Sequence, residues 1–325
     1  MINPEAKLIS DINNPEMVPL RDGFGSGVFE AGEKDERVVV LCADLKESTR
    51  CDKFADKFSD RFLEMGVAEQ NMALVASGLA NYGKIPFIAS YATFSPGRNN
   101  EQIRTNIALN NVSVKIAGHH AGVSVGPDGA THQALEDIAL MRVLPNMVVI
   151  VPCDVIEARK ATVAAASNGK PTYIRYGREK SPVITTENSP FEIGEALILR
   201  EGKDVSIIGC GILLHNALLA AEELSKEGIE CEVINCHTIK PIDEKTIIKS
   251  AKKTGCVVSV EEHQIAGGLG SAVAETLSRN YPVPQEYVGM QDRFGESGKA
   301  EELIEYFEMG KESIKNAARK AISRK

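Results

Sequence analysis

The chain has 325 residues, a formal net charge of −8 at pH 7, 43% hydrophobic and 25% charged residues. That length suits two domains of ordinary globular composition, and the acidic balance argues against nucleic acid as a partner. No apolar run approaches membrane-spanning length, no signal-peptide core opens the chain, and seven cysteines with neither metal-type nor scaffold spacing suit a reducing cytoplasm.

Residues 1–18 are polar and carry Pro4 and Pro15. They read as a loosely ordered lead-in. A helix is expected over Leu20–Ala31, then a strand over Val38–Leu41, an apolar run of the kind a parallel strand buried on both faces shows. The loop after it, CADLKEST, holds Asp44 and Ser48 at a strand C-terminus, where ligands bind in such sheets. The stretch GVAEQNMALVASGL, Gly66–Leu79, opens on a glycine turn and runs into a helix with Met72, Val75, Ala76 and Leu79 on one apolar face. Further strands are expected over Ile85–Ala89, Val112–Ile116, Met147–Val151 and Thr172–Arg175, and helices over Ala134–Val143 and Val155–Ala166. Pro145 bounds the first of these helices.

Strands alternating with helices imply a parallel α/β sheet covered on both faces. This first domain spans 19–180, and a proline- and serine-bearing linker spans 181–192. The second α/β unit, 193–325, has strands over Val205–Ile208, Cys231–Asn235 and Val257–Val260, with helices over Leu213–Lys226 and Leu269–Arg279. The glycines of Gly209–Gly211 and Gly267–Gly270 match no full dinucleotide fingerprint and read as tight strand-to-helix turns. The tail Glu301–Lys325 alternates charge at helical spacing and reads as a solvated surface helix.

Three motifs carry chemistry. Glu69 begins a buried helix, where a carboxylate is costly unless something pairs with it, although the helix dipole favours it. A first-turn Glu serving the dipole alone would account for it. Phe94, in YATF, follows a strand and by itself reads as a core aromatic. The glycine-rich loop Gly118–Gln133 holds His119, His120, Asp128 and His132, three of the six histidines of the chain. Its spacing is irregular for a metal site, so substrate binding is the stronger reading.

GVAEQ with its small-residue helix, TF and GPDGATHQ together resemble the transketolase group of thiamine diphosphate enzymes, in particular the pyrimidine-binding domain followed by the transketolase C-terminal domain. The resemblance implies that Glu69 hydrogen-bonds the aminopyrimidine of the cofactor, promoting the imino tautomer that deprotonates the thiazolium carbon. It implies that Phe94 stacks on that ring, which adds about 0.5–1.5 kcal/mol beyond area burial. A second aromatic three residues on in transketolases is Gly97 here. Asp128 and His132 would contact donor-sugar hydroxyls, His132 also relaying protons. Arg21, Ser48, His120 and Arg178 would bind the substrate phosphate, with Arg175 an alternative to Arg178. His119 has no matched role and is expected to pack.

The Mg²⁺ and diphosphate site of the family rests on a GDG motif with a downstream Asn. The chain has no GDG; PDG at Pro127–Gly129 lies in the substrate loop. The resemblance therefore implies the C-terminal subunit of a split transketolase. A partner N-terminal subunit would carry the GDG motif and most of the Mg²⁺ site, within an α2β2 assembly. The β subunit of a 2-oxo-acid dehydrogenase shares this size and plan but needs no sugar-phosphate set. A deoxyxylulose-phosphate synthase normally joins both halves in one chain. A non-catalytic α/β subunit is the remaining alternative.

Overall fold

A computed structural model describes all 325 residues. The lead-in is more ordered than its polarity suggests. Asn3 N donates to Leu199 O, Ala6 is fully buried, and β1 (Met17–Pro19) forms a ladder with Lys180–Pro182 at the end of the first unit. This contact is made mostly by backbone, which side-chain polarity does not report.

The first unit then runs α1 (Leu20–Lys34), β2 (Val38–Cys42), α2 (Asp52–Lys57), β3 (Phe62–Glu64), α3 (Glu69–Asn81) and β4 (Ile85–Tyr91). It continues through α4 (Asn100–Gln102), which passes into a π-helical segment at Ile103–Ala108, then β5 (Lys115–His119), α5 (Asp137–Arg142), β6 (Val148–Ile150), α6 (Val155–Ser167), β7 (Thr172–Arg175) and β8 (Lys180–Pro182). β5 begins three residues later than Val112 because Val114 N turns back to Val112 O. α5 starts at Asp137 rather than Ala134, since Ala134 O accepts from Gly122 N and stays in the glycine-rich loop.

The second unit comprises β9 (Leu197–Arg200), β10 (Val205–Gly209), α7 (Leu214–Lys226), β11 (Cys231–Asn235), β12 (Thr238–Lys240), α8 (Glu244–Thr254), β13 (Val257–Gln264), α9 (Leu269–Asn280), β14 (Gln285–Met290), α10 (Ala300–Tyr306) and α11 (Lys311–Ser323). The tail is thus two helices, and α11 is not a free surface helix: Ile314, Ala318 and Ala321 form one fully buried stripe.

The larger sheet has the order β12-β6-β7-β5-β4-β2-β3, parallel except for β12; the smaller has β14-β13-β10-β11-β9, parallel except for β9. β12 belongs in sequence to the second unit yet completes the sheet of the first. One apolar core therefore runs through both, with Val149 and Val151 sharing a cluster with Ile208, Ile234 and Leu269. All seven cysteines are buried free thiols, and no helix is long and apolar enough to cross a membrane.

The glycines before α9 behave as turn glycines. The Leu269 and Gly270 amides, at 2.7 and 2.8 Å, are held by the Glu261 carboxylate, so this helix N-terminus is already occupied by an anion of the chain itself.

Candidate functional site

The site lies at the C-terminal ends of β2, β4, β5 and β7, the edge where parallel α/β sheets bind ligands. Glu69 is the first residue of α3, with its side chain only 1% exposed. Arg98 Nη1 meets its Oε2 at 2.6 Å, and Asn99 Nδ2 donates to its backbone carbonyl. The same Arg98 guanidinium lies over the Phe94 ring, 4.6 Å from its centroid. Arg98 escaped the sequence reading; the only signal was a cation four residues beyond the TF motif.

Gly97 explains how the guanidinium comes to lie there. Its amide donates to Ala92 O at 3.0 Å, and a Cβ at this position would collide with the Thr93 carbonyl. No aromatic can occupy that turn, and the side chain of the next residue covers Phe94 instead.

From Phe94 the site extends through rings. Tyr91 stacks on Phe94 at 5.9 Å and 19°, and His132 meets Phe94 edge-on at 5.5 Å. His120 lies parallel to Tyr91 at 3.9 Å. His120 is 1% exposed and holds φ at +53°, a backbone region that non-glycine residues adopt mainly where the surroundings impose it. Burial, followed by the positive fields of Arg21 and Arg178, pushes its pKa down to about 3, so its imidazole is neutral at physiological pH. Its Nδ1 is buried without a partner.

Arg178 Nη1 donates to Val125 O at 2.8 Å and stands 3.5 Å from Asp128 Oδ1. Arg21 Nη1 donates to Ser48 O at 3.1 Å, while its Nε is buried and unpaired. Thr131 Oγ1 lies 2.9 Å from His132 Nδ1. Contacts thus run from Glu69 through Arg98, Phe94, His132 and Tyr91 to His120, and the Arg178–Asp128 and Arg21–Ser48 pairs lie close enough for both arginines to act electrostatically on His120.

Arg175 and His119 sit elsewhere. The Arg175 guanidinium is 6% exposed and bonds Asp137 Oδ2, Ala134 O and Glu262 O, pinning the first unit to β13. Burial opposes its charge, but Asp137 and Glu262 outweigh that and raise its pKa. Nε and Nη2 are spent on these partners and Nη1 faces Glu262 Oε2 at 4.0 Å, so the guanidinium is held inside the protein, which favours Arg178 over Arg175 as the phosphate ligand. His119 packs between Tyr176, stacked at 5.0 Å, and Phe24, edge-on at 4.7 Å, with both ring nitrogens unpaired.

Glu262 also anchors the glycine-rich loop. Its Oε1 accepts from Ser124 N at 2.6 Å, and Gly122, at φ +88°, leaves the room that the carboxylate occupies. Gln133 Nε2 ties the same loop to Val123 O and Glu296 O. No three His, Cys, Asp or Glu side chains gather where they could hold a metal ion.

The rim suits an aminopyrimidine. It offers a buried carboxylate, an aromatic ring bridged to it by Arg98, and a buried polar atom without a partner at His120 Nδ1. Such orphans are costly unless a ligand or partner satisfies them.

Comparison with known proteins agrees. The transketolase pyrimidine-binding domain matches residues 16–183 and the transketolase C-terminal domain matches 194–314. A 6-deoxy-6-sulfo-D-fructose transketolase subunit of Clostridium sp. is 42% identical over 94% of this chain and 95% of its own length. A putative transketolase C-terminal section of Methanocaldococcus jannaschii is 46% identical over 91% and 93%. One of the subunits of an apulose-4-phosphate transketolase from Phocaeicola vulgatus is 36% identical over 92% and 96%. A solved structure described as a split gene transketolase, inactive beta4 tetramer, superposes with a TM-score of 0.89 at 45% identity, covering 95% of this chain and 99% of that one. The chain belongs to the transketolase family and corresponds, over nearly its whole length, to the C-terminal subunit of a split transketolase.

Proposed function

We propose that this subunit, joined to a partner that carries the diphosphate and Mg²⁺ domain, transfers a two-carbon ketol unit from a ketose phosphate to an aldose phosphate, in the cytoplasm. The observation that carries the reading is the meeting of Glu69 and Phe94 with the His120, His132, Asp128 and Arg178 group on one rim. The first pair fits an aminopyrimidine and the second a phosphorylated sugar. When bound, thiamine diphosphate supplies the carbanion chemistry that no protein side chain offers.

The residues of this chain divide the remaining work. Glu69 holds a proton in register with a ring nitrogen of the cofactor, and Phe94 supports the face of that ring. His132 and Asp128 orient the donor hydroxyls, and His132 moves a proton at the sugar oxygen. Arg178, Arg21, Ser48 and neutral His120 grip the phosphate, the arginines as planar forks. Relatives are named for different sugars, a sulfo-fructose and apulose-4-phosphate, and both names carry an anionic group, which supports an anionic sugar as substrate.

The need for a partner is supported by the missing GDG motif and by the relative described as an inactive tetramer of β subunits alone. An α2β2 assembly follows, with self-pairing of this chain inside it. A 2-oxo-acid dehydrogenase β subunit is disfavoured by the sugar-phosphate set and by relatives named as transketolases.

The test is purification of the native assembly and a ketol-transfer assay. Xylulose 5-phosphate and ribose 5-phosphate are supplied with and without thiamine diphosphate and Mg²⁺. Cofactor-dependent transfer with a co-purifying GDG subunit is expected. Pyruvate decarboxylation without ketol transfer would overturn the reading.

A further inference from the structure

The two groups that the proposed function offers to an aminopyrimidine, the Glu69 carboxylate and the Phe94 ring, are both already engaged by one side chain. Arg98 Nη1 sits 2.6 Å from Glu69 Oε2 while its guanidinium covers Phe94 at 4.6 Å. Tyr91 stacks on Phe94 as well, and His132 takes its edge. An incoming ring thus meets Arg98 at both contacts.

Glu69 is 1% exposed, whereas Arg98 is 45% exposed. A carboxylate that deep needs a cation beside it, and Arg98 is the one present. The half-exposed guanidinium can return to water at little cost; Glu69 cannot. Beyond the carboxylate, the side chain makes no hydrogen bond that would tether it. Its backbone is fixed, since Arg98 N donates to Phe94 O at 3.1 Å and Gly97 is locked against Thr93. The arrangement is a side chain on a rigid turn with one ionic anchor and a wet alternative.

We propose, resting on the function above, that Arg98 is a positioning residue that substitutes for the cofactor. It neutralises Glu69 and covers Phe94 in the unloaded chain, and it swings out to solvent when thiamine diphosphate seats. Arg98 therefore competes with the cofactor for one carboxylate and one ring face. It also keeps a bare buried carboxylate from destabilising the chain ahead of assembly.

The test is thiamine diphosphate affinity, read by calorimetry in the presence of Mg²⁺ on the assembly formed with the partner subunit. Arg98→Met keeps an apolar stem against Phe94 but removes the competing charge. Its dissociation constant is expected to fall about tenfold, and Arg98→Lys, a cation without the planar fork, should fall between Met and wild type. In a Glu69→Gln background the Arg98→Met effect should shrink to less than about twofold, because the competition has lost its object. Damage to the fold can only weaken binding, so tightening is a signature that a purely structural Arg98 would not give. Unchanged or weakened binding in Arg98→Met would overturn the proposal and leave the transketolase reading intact. Failure of the wild-type assembly to bind thiamine diphosphate would overturn that reading, and this one with it.

Discussion

The His120 imidazole lies 3.9 Å from the Tyr91 ring and 20° from parallel to it, within the group proposed to bind phosphate. Burial, then the charges of Arg21 and Arg178, hold its pKa at about 3. The ring should therefore show no titration between pH 8 and 5 when followed by NMR. The stability consequence has a definite sign. A histidine with a depressed folded pKa contributes stability above its unfolded value of about 6.5, and loses it as pH falls from there towards the folded value. His120→Phe keeps the stack without the titration. Its Tm should decline less than that of wild type between pH 6.5 and 4, and its KM for the phosphorylated donor should rise.

Glu69→Gln removes the proton that the cofactor needs while keeping the shape of the side chain. Turnover should drop by about 10²–10⁴-fold, the usual worth of a positioned acid or base. Arg98 loses its ion partner but is half-exposed and can be rehydrated. Sedimentation should show the assembly intact; unchanged turnover would remove Glu69 from the mechanism.

Much of this fold was legible because its strands are apolar on both faces. Val38–Cys42 and Val148–Ile150 are apolar and buried at every position, and such runs announce themselves. The region after Ile107 was not, because Val112, Val114 and Ile116 alternate like a strand while the backbone at Val112–Val114 turns. The lead-in was missed because Met17–Pro19 pairs with Lys180–Pro182 through main-chain groups. The tail was misread because its charges hide the spacing of Ile314, Ala318 and Ala321. Motif order brought most of the candidate site residues to attention, but the Arg98–Glu69 pair depends on a turn that only the folded backbone reveals. On the sequence Arg178 is the matched position and Arg175, three residues away, its alternative; burial separates them.

Their roles predict opposite phenotypes. Arg175→Met strips the cation from Asp137 and from Glu262, both buried, and breaking such a pair costs about 3–5 kcal/mol. Thermal denaturation should show a large drop in Tm. Arg178→Met acts on a guanidinium that is 28% exposed, next to Asp128. It should leave Tm nearly unchanged and raise KM for the sugar phosphate. The reverse pattern would exchange their assignments.

Glu157, on α6, is buried where the two units meet. Cys153 N donates to its Oε2 and Asn235 Nδ2 to its Oε1, each at 2.7 Å. Burial, and next the charge of Asp154, raise its pKa from 4.5 to about 7. A raised carboxyl contributes stability that is full below its unfolded value and disappears as pH rises through the folded one. This contribution should therefore fade between pH 4.5 and 7. Gln at this position cannot ionise, and the unpaired Asn235 Oδ1 can accept from the new amide once the Asn side chain flips. Glu157→Gln should match wild type in Tm near pH 5 and exceed it at pH 8. The relative gain has a ceiling of about 3 kcal/mol, the free-energy equivalent of that pKa displacement. A Tm difference that does not change with pH would mean that Glu157 keeps its charge in the folded protein, held by the Cys153 amide and Asn235.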